Sequence, residues 1–211
     1  MNPPFTREQF LEVFRAYNEA VFPAQYILYL IAFAVLFFLF RRRPGSSKAI
    51  AALLAAMWIW TGIAYHWLFF TTINTAAYGF GALFVLQGVV FLYFGFRDKL
   101  SFAVVDRFST IVAWILLTYA LILYPLVGRA LGHFYPEAPT FGLPCPLTIF
   151  TFGMLLLTNR HVPRWVLAIP TIWALVGSTA VFAFGIYQDL GLLTSAVIAW
   201  AFFLFGKAPT R

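Results

Sequence analysis

Residues 133–158 read HFYPEAPTFGLPCPLTIFTFGMLLLT, and how this stretch sits decides the fold. Four prolines and a glycine lie between His133 and Pro146, and they forbid a regular helix there. The apolar run that follows, Pro146 to Thr158, is thirteen residues long. That is about 20 Å of helix against ~30 Å of bilayer hydrocarbon. A run this apolar and this short predicts a half-buried helix. A re-entrant stretch from about Pro136 to Pro146 leads into its N-terminus. Irregular backbone below the membrane surface must be buried in protein or line a wet cavity.

The remainder of the chain fixes the solvent. Of 211 residues, 63% are apolar, 20% aromatic and only 10% charged. Soluble domains are nearer half apolar and a quarter charged, so a water-soluble fold is excluded. Seven apolar segments follow: about Pro23–Phe40, Ala49–Ile73, Ala77–Phe96, Phe108–Leu131, Pro146–Thr158, Pro163–Tyr187 and Leu190–Phe205. The expected fold is an all-α, polytopic bundle of seven transmembrane helices over 23–206. An amphipathic segment (1–22) precedes it and a short tail (207–211) follows. No cleavable signal and no internal repeat are read.

Charge supports alternating spans. The loops at 41–48, 97–107 and 159–164, with the tail, hold eleven of the fourteen Lys and Arg residues. The other side holds Arg7, Arg15 and Arg129, with five of the seven acids. By the positive-inside rule the C-terminus is cytoplasmic and the N-terminus outside. The net charge of +7 thus marks loops facing the cytoplasm, and no nucleic-acid partner is expected. Along 5–20, Phe5, Phe10, Phe14 and Tyr17 recur at helical spacing, and Thr6 with Gln9 has the spacing of a capping box. This predicts an amphipathic interfacial helix, with a lid packed over the bundle as the alternative.

Polar chemistry concentrates toward the outer half. Cys145, the sole cysteine, sits at or beside the helix cap, with Pro146 as the first helical position. A helix N-terminus favours an anion, so the thiol could ionise there. A small packed residue is the plain alternative. His66, between Tyr65 and Trp67, is an intramembrane imidazole, and such groups point to function. Tyr124, Thr148 and Glu137 are placed near the same depth and complete a substrate-binding set with His66 and Cys145. Cys145, His66 and His133 form a candidate soft-metal set, since thiolate and imidazole suit copper or zinc. Gln87, Ser178 and Thr179 are read as interhelical hydrogen-bonding groups, Ala52/Ala56 and Gly128/Gly132 as packing faces, and Pro170 as a kink. No Lys lies in the last span and no His-x-x-x-His, H-E-x-x-H, G-x-S-x-G or P-loop pattern occurs. That argues against retinal proteins, zinc amidases and the common hydrolases.

Three stretches carry a family resemblance: the opening PFTREQF…YNEAVFPAQ, AYHWLFF around His66, and PTFGLPCPLTIFTFG around Cys145. Together they resemble bacterial integral membrane proteins grouped as domain of unknown function 6064. The resemblance covers essentially the whole chain. It implies a multi-pass protein of the bacterial inner membrane and brings no activity or ligand. The first functional expectation is binding or transport of a small solute or soft metal ion through an outward-facing pocket. A membrane-embedded enzyme acting on a lipid or quinone is the second, with His66 as base and Cys145 as nucleophile. A structural or assembly subunit is the third. No cofactor is specified beyond the metal ion. Membrane lipid and the solute are the expected partners, and a homo-oligomer is an open alternative.

Overall fold

The computed structural model describes residues 4–104 and 106–205. The expected 207–211 tail lies outside the described residues. Among the described residues there are eight helices and no strand, with two isolated β-bridges. We number them α1 (Arg7–Ala20), α2 (Ala24–Arg41), α3 (Ser46–Thr72), α4 (Ala77–Phe96), α5 (Arg107–Ala130), α6 (Pro144–Leu156), α7 (Arg164–Phe184) and α8 (Tyr187–Phe205). Seven apolar segments were expected. Six helices are long and apolar enough to cross a membrane, and α6 is the short one at 13 residues.

Local chemistry sets the ends. Thr6 and Gln9 form the capping box on α1. Asp106 accepts from the Phe108 and Ser109 amides at the start of α5, each 2.9 Å. Gly185, at φ +71°, closes α7 in the left-handed region. The first helical residue of α6 is Pro144, not Pro146, so Cys145 lies inside the first turn. Neither proline lacks a needed donor, because the first-turn amides have no partner within the helix.

α6 is the axis of the bundle. Every residue from Pro146 to Leu156 is buried, and α5, α7 and α8 pack around it. A helix apolar all round belongs inside, and a shielded helix does not need the length of a lipid-facing one. Lipid-type exposure falls elsewhere: Tyr26, Leu30, Phe33, Phe37 and Phe40 form an exposed stripe at helical spacing on α2.

α3 and α4 meet along small residues. Gly81, Gly88 and Gly95 recur every seventh residue on α4 and face Gly62, Ala55 and Ala51. A Cβ on Gly88 would lie 2.9 Å from the Ala55 carbonyl oxygen. This seam replaces the expected Ala52/Ala56 face, since Ala56 is exposed. Pro170 lies inside α7 and cannot donate to the Val166 carbonyl four residues back. The Gln87 amide of α4 donates to that carbonyl at 3.0 Å. Ser178 and Thr179 instead bond carbonyls of their own helix.

Two ends are distinct. At one, Lys48 pairs with Asp98 at 3.2 Å, Arg160 donates to the Asp98 carbonyl, and the Ala103 amide donates to the Leu157 carbonyl. At the other, α1 lies across the bundle. Its apolar face is buried against protein: Phe10 stacks on Phe184 (4.8 Å between centroids) and Phe14 on Tyr65 (6.0 Å). α1 is therefore a lid on the bundle. The face expected to enter the interface is covered by α3 and α7.

Candidate functional site

The 131–143 loop drops into the lid end, and its backbone is satisfied by side chains. The Asn18 amide of α1 donates to the Pro136 and Ala138 carbonyls at 2.6 and 2.9 Å, and Thr140 donates to Asn18. Thr61 of α3 donates to the Gly142 carbonyl at 2.6 Å. Gly142 adopts φ +97°, a left-handed conformation that favours glycine, and a Cβ there would strike Leu28. This irregular backbone is half-exposed at 136–138 and becomes buried in protein at 141–144.

Beneath the lid lies a cavity of about 470 Å³, within the ~300–1,000 Å³ of ligand pockets. Phe5, Phe10 and Phe14 roof it, and Tyr65, Phe80 and Trp173 are among its walls. Its polar lining includes Tyr65, Asn74 and Thr179, and three further side chains gather there: Tyr124 of α5, Cys145 of α6 and Asp189 of α8. Tyr124 donates to Asp189 Oδ1 at 2.5 Å, and the Cys145 thiol lies beside the same carboxyl. Asp189 is only 2% exposed. Asp189 lies in the first turn of α8 and Cys145 in the first turn of α6.

Two π-helical turns flank the site, Thr61–Trp67 in α3 and Tyr119–Leu123 in α5. Such turns recur at functional sites. The first carries Tyr65 and His66, and the second delivers Tyr124. His66 is fully buried, and neither ring nitrogen has a hydrogen-bond partner. Leaving such groups unpaired costs about 1–3 kcal/mol each. Its ring lies 5.0 Å from Trp173 and 4.7 Å from Phe84, centroid to centroid. Trp173 Nε1 lies beside the Cys145 thiol and has no other partner.

The expected set divides. Tyr124 and Cys145 meet in the cavity. His66 lies behind the aromatic wall with no bond to Cys145. Thr148 donates to the Pro144 carbonyl of its own helix and does not line the cavity. Glu137 does not line the cavity and pairs with Arg15 of the lid. His133 is held between Arg7 and Gln188. Arg7 can only donate, so His133 Nε2 accepts and Nδ1 carries the hydrogen. The Gln188 amide nitrogen lies 3.4 Å from Nδ1, so a protonated Nδ1 requires the amide to turn over and present its oxygen, which otherwise has no partner. Burial first, and then the Arg7 charge, lower the His133 pKa below its ordinary 6.5. Cys145, His66 and His133 are not brought together. Among the described residues no three His, Cys, Asp or Glu side chains form a group able to hold a metal ion. Asp189 and Trp173 were missed. Gln188-Asp189 ahead of an apolar run reads as a span end, and nothing local shows that this end is sunk inside the bundle.

A family model described as a family of unknown function (DUF6064) matches residues 7–210, nearly the whole chain. The chain belongs to that family. No curated protein and no solved structure matches it.

Proposed function

We propose that this DUF6064 member is a multi-pass protein of the bacterial inner membrane that binds a small, largely apolar molecule under the α1 lid. The lid end faces outward, because the basic loops gather at the other end and the positive-inside rule assigns them to the cytoplasm. The reading rests on one observation: a buried Tyr124–Asp189 hydrogen bond beside the Cys145 thiol, inside an aromatic-walled cavity of about 470 Å³. Apolar walls with a few convergent polar groups favour a ligand with an apolar body and a polar head. Capture or transport from the outer side follows from the lid. A soft metal ion is the weaker form of the proposal, since Cys145 has neither histidine beside it.

Native mass spectrometry of the purified full chain tests this. The expected result is a bound molecule of defined mass, lost in Ala180→Trp, where a large ring fills the cavity beside Ala180. An unliganded mass in the wild type, with Cys145 inert to N-ethylmaleimide until the chain is denatured, would overturn it.

A further inference from the structure

Asp189 is the one carboxyl among the described residues of the cavity lining, and that lining holds no Lys, Arg or His. The residue is 2% exposed and enters no ion pair among the described residues. Its side-chain contacts are neutral groups. The Tyr124 hydroxyl donates to Oδ1 at 2.5 Å, and the Cys145 thiol lies beside the carboxyl. An ionised carboxylate offers about four acceptor sites, and Tyr124 fills one of them. Buried charges are paired or hold a cation, and acids inside a membrane protein mark substrate and ion pathways.

The walls supply the complementary feature. Nine aromatic rings line the cavity, among them Phe10, Tyr65, Phe70, Phe80, Trp173 and Phe184. They pack on one another around the space: Phe10 lies 4.8 Å from Phe184 and Phe80 lies 5.5 Å from Trp173, centroid to centroid. Ring faces attract cations, most strongly where water is excluded, and enclosures of such rings recognise quaternary ammonium groups. An inorganic cation fits the site less well. Calcium and magnesium require a full shell of oxygen ligands, and among the described residues no three His, Cys, Asp or Glu side chains could hold a metal ion.

We infer that the cavity takes a lipophilic organic cation: an ammonium group on an apolar body, its charge set against Asp189 and its carbon substituents against the rings. This deepens the proposed function and rests on it. A neutral apolar ligand leaves the carboxylate without a counter-charge, and an anion is repelled by it.

The test is calorimetry of the full chain in phosphatidylcholine nanodiscs with benzyltrimethylammonium and with neopentylbenzene, each corrected for uptake by empty nanodiscs. The second compound has carbon in place of the nitrogen, so the shape is kept and the charge is gone. The cation should bind about tenfold more tightly or better. In Asp189→Asn that preference should disappear while the neutral compound binds as before. The wild-type comparison stands even where the variant fails to fold. Equal affinity, or tighter binding of the neutral compound, with both displaced by Ala180→Trp, means that Asp189 is held as a neutral acid. That result overturns the cation assignment and leaves the cavity as a binding site. Binding of neither, while native mass spectrometry finds a bound molecule without a basic or quaternary nitrogen, does the same. A bound molecule that carries such a nitrogen supports the assignment. Binding of neither, with no bound molecule, overturns both.

Discussion

Tyr124 and Asp189 form the contact through which α5 and α8 meet inside the site. The phenol donates to the carboxyl at 2.5 Å, and both residues are buried. Tyr124→Phe removes the donor and leaves a buried carboxyl short of a partner, at a cost of about 1.5–3 kcal/mol. We expect a lower Tm and a more reactive Cys145 in that variant, read by thermal unfolding and maleimide kinetics. Gln87 carries a different load. It satisfies the Val166 carbonyl that Pro170 frees. Gln87→Leu therefore destabilises by about 1–3 kcal/mol, and the double variant with Pro170→Ala recovers part of that loss. Gln87 as a packing-related hydrogen-bond donor was legible from its mid-span position. Its partner was not, because a carbonyl freed by proline is a property of the neighbouring helix. Similarly, Cys145 stood out for its place between two prolines, whereas Asp189 looked like an ordinary helix cap.

At the level of elements, the lid and the α3–α4 seam make separate predictions. α1 is held by aromatic stacking, by Asn18 and by the half-exposed Arg15–Glu137 pair. An exposed pair contributes little to folding. Arg15→Ala should leave the Tm nearly unchanged but let α1 exchange amide hydrogens several-fold faster. Asn18→Ala should do more, since two loop carbonyls lose their donor. The lid also senses pH through His133. Its pKa is lowered in the fold. Between that value and about 6.5, the unfolded ring takes a proton and the folded ring does not. Stability is therefore full above about 6.5 and falls as the pH drops below it. Thermal unfolding at stepped pH should show that loss in the wild type and a flatter profile in His133→Asn. On the seam, Gly88→Val places a branched side chain 2.9 Å from the Ala55 carbonyl. Overpacking of this kind costs about 1–3 kcal/mol.

For the molecule as a whole, hydropathy marked α2 to α8 and helical spacing marked α1, and no long span differs by more than three residues from the expected ends. The short fifth segment was legible for a physical reason: thirteen apolar residues cannot cross the hydrocarbon. That it forms the buried axis was not, because burial on all sides and exposure to lipid select the same apolar residues. The lid was ambiguous for the same reason. An amphipathic helix presents one apolar face, and only the partner tells protein from headgroups. The cavity itself arises where α1, α3, α4, α5, α6, α7 and α8 and the 131–143 loop converge, a long-range property that local spacing does not encode. The most direct test of a lid-covered cavity uses the single native thiol. The rate of Cys145 alkylation by N-ethylmaleimide is followed in the folded wild-type chain and in Ala180→Trp. A cavity under α1 predicts measurable labelling of the folded wild type that falls by about tenfold or more when the space is filled. A thiol that labels only on denaturation, or equally fast in both chains, would contradict it.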